Sequence, residues 1–99
     1  MIKYEIWQMP LSNPNKFYHY DWCEKPIEIK DYVMVYAGRT ALRDDVDDTL
    51  EDIFELLNNN HPHDYYAASL SVSDVVCLII GNQRGWFYVD GFGFKKLDW

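Results

Sequence analysis

With 99 residues, 48% hydrophobic and 17% aromatic, the chain is long enough for one domain with a small core. Its formal charge of −7, with a pI near 4.7, sets it against a phosphate backbone and disfavours general nucleic-acid binding. Its apolar runs fall far short of the roughly 18 residues that a membrane-spanning helix needs, so no membrane contact is expected.

Residues 2–8 (IKYEIWQ) alternate, with Ile2, Tyr4 and Ile6 on one side and Lys3 and Glu5 on the other, the period of a half-buried strand. Pro10 ends it. Residues 11–31 hold no clean period. Asn13 and Pro14 suit the start of a short helical turn. Phe17, Tyr18, Tyr20 and Trp22 fit neither strand nor helix, and Pro26 breaks the chain again, so the segment reads as a loop with one helical turn. Residues 32–37 (YVMVYA) are β-branched and aromatic, a short strand closed by Gly38. The clearest periodicity lies in 44–58, where Leu50, Ile53, Phe54 and Leu57 form one helical stripe. Asp47, Asp48 and Thr49 are the candidate caps, the early acids complement the helix dipole, and Asn58 to Pro62 ends the element, which places the main helix at about 47–59.

Residues 61–69 form a connection. Val75–Ile80 (VVCLII) then reads as a buried strand. GNQRG at 81–85 is a hairpin turn with Gly81 and Gly85 at its ends, and WFYV at 86–89 is the return strand, giving a C-terminal hairpin over about 75–90. DGFGF is a glycine-punctuated exit. The pattern predicts an α+β fold: a single domain over 1–99, a mostly antiparallel sheet of about four strands, and one helix packed on one face.

The residue types that could carry chemistry lack the spacing it needs. Asp44, Asp45, Asp47, Asp48, Glu51, Asp52 and Glu55 are seven acids in twelve residues with no base among them. A calcium loop requires a glycine at its sixth position, and no glycine occurs from 39 through 80. The acids instead read as a solvated helix face, open to a basic partner. His61 and His63 flank Pro62, a spacing that matches no usual zinc site, so no metal and no cofactor is expected. A serine nucleophile needs a base and an orienting group, and SLSVSDVV at 69–76 has no Gly-x-Ser-x-Gly elbow around it. Ser71, Ser73 and Asp74 read as turn-forming residues that hold nearby backbone N–H groups. Ser71→Ala or Asp74→Ala is then expected to cost about 0.5–2 kcal/mol, as lost caps do. Cys23 and Cys77 are not a CxxC pair and are expected to be free thiols, Cys77 a small core residue. MIKYEIWQMP lacks the basic-then-apolar order of a signal peptide, so the cytoplasm is the expected compartment.

Two stretches resemble a bacterial family. LEDIFELLNNNHPHDYYAASLSVSDVV, followed after the hairpin by FYVDGFGF, is similar to the YodL-like domain, and IKYEIWQM and YVMVYAG fit its start and middle. The resemblance covers residues 2–9, 32–38 and 50–97. Residues 11–31 depart from it, and Gly91 stands where the family pattern has a small polar residue. The resemblance implies no catalytic residues. It implies a domain common in proteins of plasmids, conjugative elements and phages.

Taken together, these features lead to the expectation of a non-enzymatic protein-binding module, an inhibitor or regulator of a host protein such as an anti-CRISPR. The partner expected is a basic nucleic-acid-binding protein, with no direct contact to nucleic acid. The carboxylates from Asp44 to Glu55 would steer it, and Phe17, Tyr18, Tyr20 and Trp22 would anchor it. The alternative expectation is a structural accessory domain that self-associates into a homo-oligomer or contacts a cytoskeletal partner.

Overall fold

The computed structural model describes residues 1–24 and 26–99. Lys25, inside the segment read as a loop, lies outside the described residues. The elements are β1 (Ile2–Gln8), β2 (Val33–Thr40), α1 (Val46–Asn59), β3 (Val75–Ile80), β4 (Gln83–Val89) and β5 (Phe94–Leu97). The strands make one sheet in the order β2-β1-β3-β4-β5, antiparallel at every pairing. The α+β class holds, with five strands rather than four. The strand missing from the expectation is β5, whose FKKL sequence pairs with β4 from Trp86↔Leu97 to Val89↔Phe94.

Strand β3 explains the layering. Its continuous apolar sequence is buried on both sides, as such runs are. Val76 and Leu78 pack with Tyr4 and Ile6 of β1 and with Leu50, Ile53 and Leu57 of α1. Val75 and Cys77 pack with Trp86, Tyr88 and Leu97, and with Met9, Ile27 and Tyr32 from the segment between β1 and β2. The helix therefore covers one face of the sheet, and residues 9–32 cover the other. The supposed loop closes the second core, burying Ile27 there and packing Tyr20 and Cys23 against it. It holds two single-turn 3-10 helices, at Tyr20–Trp22 and Ile29–Asp31. The helical turn does not begin at Asn13, whose carboxamide instead accepts the Asn15 N–H at 2.9 Å in an Asx-type turn.

Local details correct several boundaries. Helix α1 starts at Val46 with Asp45 as its N-cap, the Asp45 carboxylate accepting the Asp47 N–H at 2.9 Å. Asp47 and Asp48 occupy the first turn, and Thr49 is buried with its hydroxyl accepting the Arg43 N–H at 2.9 Å. Strand β2 runs through Gly38 to Thr40. Gly38 faces Tyr4, and a Cβ there would lie 2.6 Å from the Tyr4 hydroxyl oxygen, so the glycine is what lets that buried ring lie flat on β2. Val35 is unpaired between Met34↔Trp7 and Tyr36↔Ile6, a bulge in the edge strand. The β3–β4 turn is only Gly81-Asn82, with Ile80 opposite Gln83 and Gly81 at φ 63, the positive value a two-residue hairpin wants at its first central position. Gly85 is not a turn residue: it lies within β4, under the Phe87 ring.

Candidate functional site

The turn into β3 is built by Asp74. Its backbone N–H donates to the Ser71 carbonyl at 3.1 Å, and its carboxylate accepts the Ser71 N–H at 2.9 Å. The Ser71 hydroxyl makes none of these bonds, so the capping role expected of it falls to Asp74. The Asp74 side chain is fully buried, and its other partners come from far away in sequence: Gln8 Nε2 at 3.2 Å and Lys16 Nζ at 3.3 Å. Lys16 is itself almost fully buried. All three partners are donors, which suits the carboxylate, while burial pushes the acid's pKa up against the pull of Ser71, Lys16 and Gln8.

Ser73 adopts φ 88, a region side chains other than glycine rarely occupy. The strain is held by neighbours: Ser73 N–H donates to Val89 O at 2.9 Å, and Tyr32 donates its hydroxyl to Ser73 O at 2.6 Å. Desolvation, with Asp74 nearby, raises the Tyr32 pKa, so this phenol stays a donor. The Ser73 hydroxyl accepts the N–H of Phe17 at 3.0 Å, and Phe17 is the other non-glycine residue with positive φ, at 71. Ser73 thus faces a backbone donor, and histidine is absent from the partners of Asp74. Ser73 and Asp74 fasten residues 11–31 to the sheet.

Beyond that fastening the chain exposes aromatic rings. Phe17, Tyr18 and Trp22 are 53%, 44% and 69% exposed. Tyr20 is not one of them: its ring packs edge-on against Tyr88 at 5.4 Å, with the Lys95 ammonium 5.5 Å from its centroid. It belongs to the frame, as does Tyr88, which donates its hydroxyl to Tyr18 O at 2.6 Å. Burial and the Cys23 thiol push the Tyr88 pKa up. The turn between β4 and β5 is tied to the same corner. Asp90 Oδ1 accepts the N–H groups of Tyr20 at 3.2 Å and Gly91 at 2.9 Å, and lies 3.4 Å from His19 Nδ1. The His19 ring meets Trp22 at 4.7 Å and fills the space a side chain at 91 would need. That packing is why this chain has glycine at 91. Phe92, at the tip of the turn, is 99% exposed. Phe17, Tyr18, Trp22 and Phe92 are therefore exposed on two segments that Asp90 and His19 join at one corner of the sheet.

The acid face stands elsewhere. Asp45 is spent as the cap, and Asp48 and Asp52 lie 3.9 and 3.1 Å from Arg43, the base just outside the run. Asp44, Asp47, Glu51 and Glu55 point to solvent and form no ion pair among the described residues. Because α1 and the aromatic corner cover opposite faces of the sheet, they do not share a footprint.

Elsewhere, His61 Nδ1 lies 3.3 Å from Pro62 O, with its ring against Tyr65, and Asp64 accepts the Tyr36 hydroxyl at 3.0 Å. Among the described residues no group of three or more His, Cys, Asp or Glu is placed to hold a metal ion. Cys23 and Cys77 are both free, Cys77 buried in mid-strand. Among the described residues no helix is long and apolar enough to cross a membrane. The sequence reading missed Gln8, Lys16, Tyr32, His19 and Asp90. Only Asp90, an Asx residue before a glycine, carried a local turn signal. A family model for the YodL-like domain matches residues 3–99. No curated protein and no solved structure matches the chain.

Proposed function

The chain belongs to the YodL-like domain family, and from that footing we propose that it is a non-enzymatic protein-binding module whose contact surface is the corner formed by Phe17, Tyr18, Trp22 and Phe92. The observation that carries this is the mounting of those rings. Phe17, Tyr18 and Trp22 stand exposed on a segment fixed by the buried Lys16–Asp74 pair and by the Phe17–Ser73 bond, and Phe92 on the β4–β5 turn that Asp90 ties to that segment through the Tyr20 N–H. A pre-ordered loop gives up little entropy on binding, and large aromatic side chains dominate the energetics of protein interfaces.

The charge of −7 supports a basic partner, approached by electrostatic steering. The α1 carboxylates act in that approach at a distance, since they lie on the other face. In its narrower form the proposal is a cytoplasmic inhibitor carried by a phage or mobile element, which competes with nucleic acid for the basic groove of a host defence protein. The acidity, the small size and the setting implied by the family resemblance support that form.

The test is a pull-down from bacterial lysate at physiological salt with the wild type and with Phe17→Asn/Trp22→Ala, asparagine being chosen because it tolerates positive φ. A basic protein retained by the wild type and lost by the variant, with unchanged circular dichroism, supports the proposal. Equal retention by both, or recovery of acidic partners alone, refutes it.

A further inference from the structure

The registers of β1 to β4 align Arg39, Lys3, Ile79 and Arg84 in a single row across the sheet, through the pairings Lys3↔Arg39, Lys3↔Ile79 and Ile79↔Arg84. These side chains project on the face away from α1, beyond the edge of the Trp7–Trp86–Trp99 packing. In a chain with nine lysines and arginines against sixteen acids, three of the cations share this one row. Arg84 bonds Glu5 at 2.8 Å. Lys3 and Arg39 sit directly opposite each other and make no ion pair among the described residues. Like charges facing across a strand pair are unfavourable, so the row is a poor arrangement for the isolated fold. An open depression of about 270 Å³ lies between Lys3, Arg39 and Ile79, bounded by Ala37, Gly38, Tyr4 and Glu5, the last held by Arg84.

We propose that this row docks the α1 helix of a second copy of the chain. The complement is on the opposite face of the same molecule. Asp47, Glu51 and Glu55 are exposed at successive positions i, i+4 and i+8 of α1. They form a stripe spanning about 12 Å. The row from Arg39 to Arg84 crosses three strand spacings, about 14 Å. Two lines of opposite charge and matching length, on opposite faces, with Lys3 and Arg39 free of ion pairs among the described residues and Arg84 shared with Glu5, define a heterologous contact that adds copies in one direction. At about 0.1 M salt the repulsion between two acidic molecules is screened beyond roughly 10 Å, while contacts between paired side chains survive. This inference is independent of the function proposed for the aromatic corner.

Sedimentation of the wild type tests it. The weight-average mass should rise with concentration past a dimer at about 0.1 M salt and return to monomer at about 1 M, where the screening length is near 3 Å. Lys3→Glu/Arg39→Glu and, separately, Glu51→Lys/Glu55→Lys should each weaken self-association at least about tenfold. Mixing those two variants should restore it. Lys30→Glu/Lys96→Glu, which makes the same charge change off the row, should self-associate as the wild type does. A wild type that stays monomeric at every concentration overturns the proposal, whatever other anion the row binds. So does self-association that survives both reversals, or that the Lys30/Lys96 variant loses as fully as the row variant does.

Discussion

Asp74→Ala should be the most damaging single polar substitution in the chain. It removes the acceptor of three donors and orphans the Ser71 N–H and the Lys16 ammonium, while the Gln8 amide keeps Ala68 O at 3.0 Å. The ammonium matters most, because the Lys16 side chain is only 8% exposed and cannot easily turn to solvent. Removing one partner of a buried ion pair typically costs about 3–5 kcal/mol. A domain of this size has a total stability of about 5–15 kcal/mol, and each kcal/mol moves its melting temperature by about 4–8 °C. The expected result is a fall in melting temperature of at least roughly 12 °C, with a matching shift in the urea midpoint followed by tryptophan fluorescence. Asp74→Asn/Lys16→Met, which removes the charge on both sides and leaves an acceptor for Ser71, should stay within about 1–2 kcal/mol of wild type. A loss below about 1 kcal/mol for Asp74→Ala, or a double variant worse than the single, would refute the view that this pair fastens residues 11–31.

Other outcomes follow from the same geometry. The folded Asp74 carboxyl has a pKa above its unfolded value of 3.8, so its contribution is full below that pH and is lost as pH rises through the raised value. The stability of wild type measured relative to Asp74→Asn should therefore decline with rising pH across that window in urea titrations. Ser71→Ala, whose hydroxyl bonds nothing in the turn, should change stability by less than about 0.5 kcal/mol. Asp45→Ala should cost about 0.5–2 kcal/mol by thermal melting, whereas Asp47→Ala should cost little, which distinguishes the true cap from its neighbour. Gly38→Ala should lose about 1–3 kcal/mol, because the new methyl meets the buried Tyr4 ring and neither can retreat.

The sequence was legible where burial imposes a period. Strand β1 at 2–8, the double-sided burial of β3 and the stripe Leu50–Ile53–Leu57 all follow from local pattern. Strand β5 was not, because two exposed lysines leave Leu97 as its only fully buried residue, too little for a period to emerge. The second core was illegible for a different reason. Its loop members bury single residues without rhythm, and their partners lie 41 residues away for Tyr32 and Ser73 and 70 away for Tyr18 and Tyr88. The acid run and the aromatic run could both be seen in the sequence. Their separation onto opposite faces could not, since it depends on which side of the sheet the loop folds over.

The segment between β1 and β2 divides its positions between two duties. Lys16, Tyr20, Ile27 and Tyr32 are committed to the sheet, and Asn15 to the segment's own fold, by a carboxamide that accepts the Glu24 N–H at 3.1 Å. Leu11, Phe17, Tyr18 and Trp22 are exposed. The outward set can drift from one relative to another without threatening the fold, while the inward set cannot. In the binding role proposed for it, such a segment is a display surface: its outward positions can be rewritten, by selection or by a randomised library, on a mounting that stays the same.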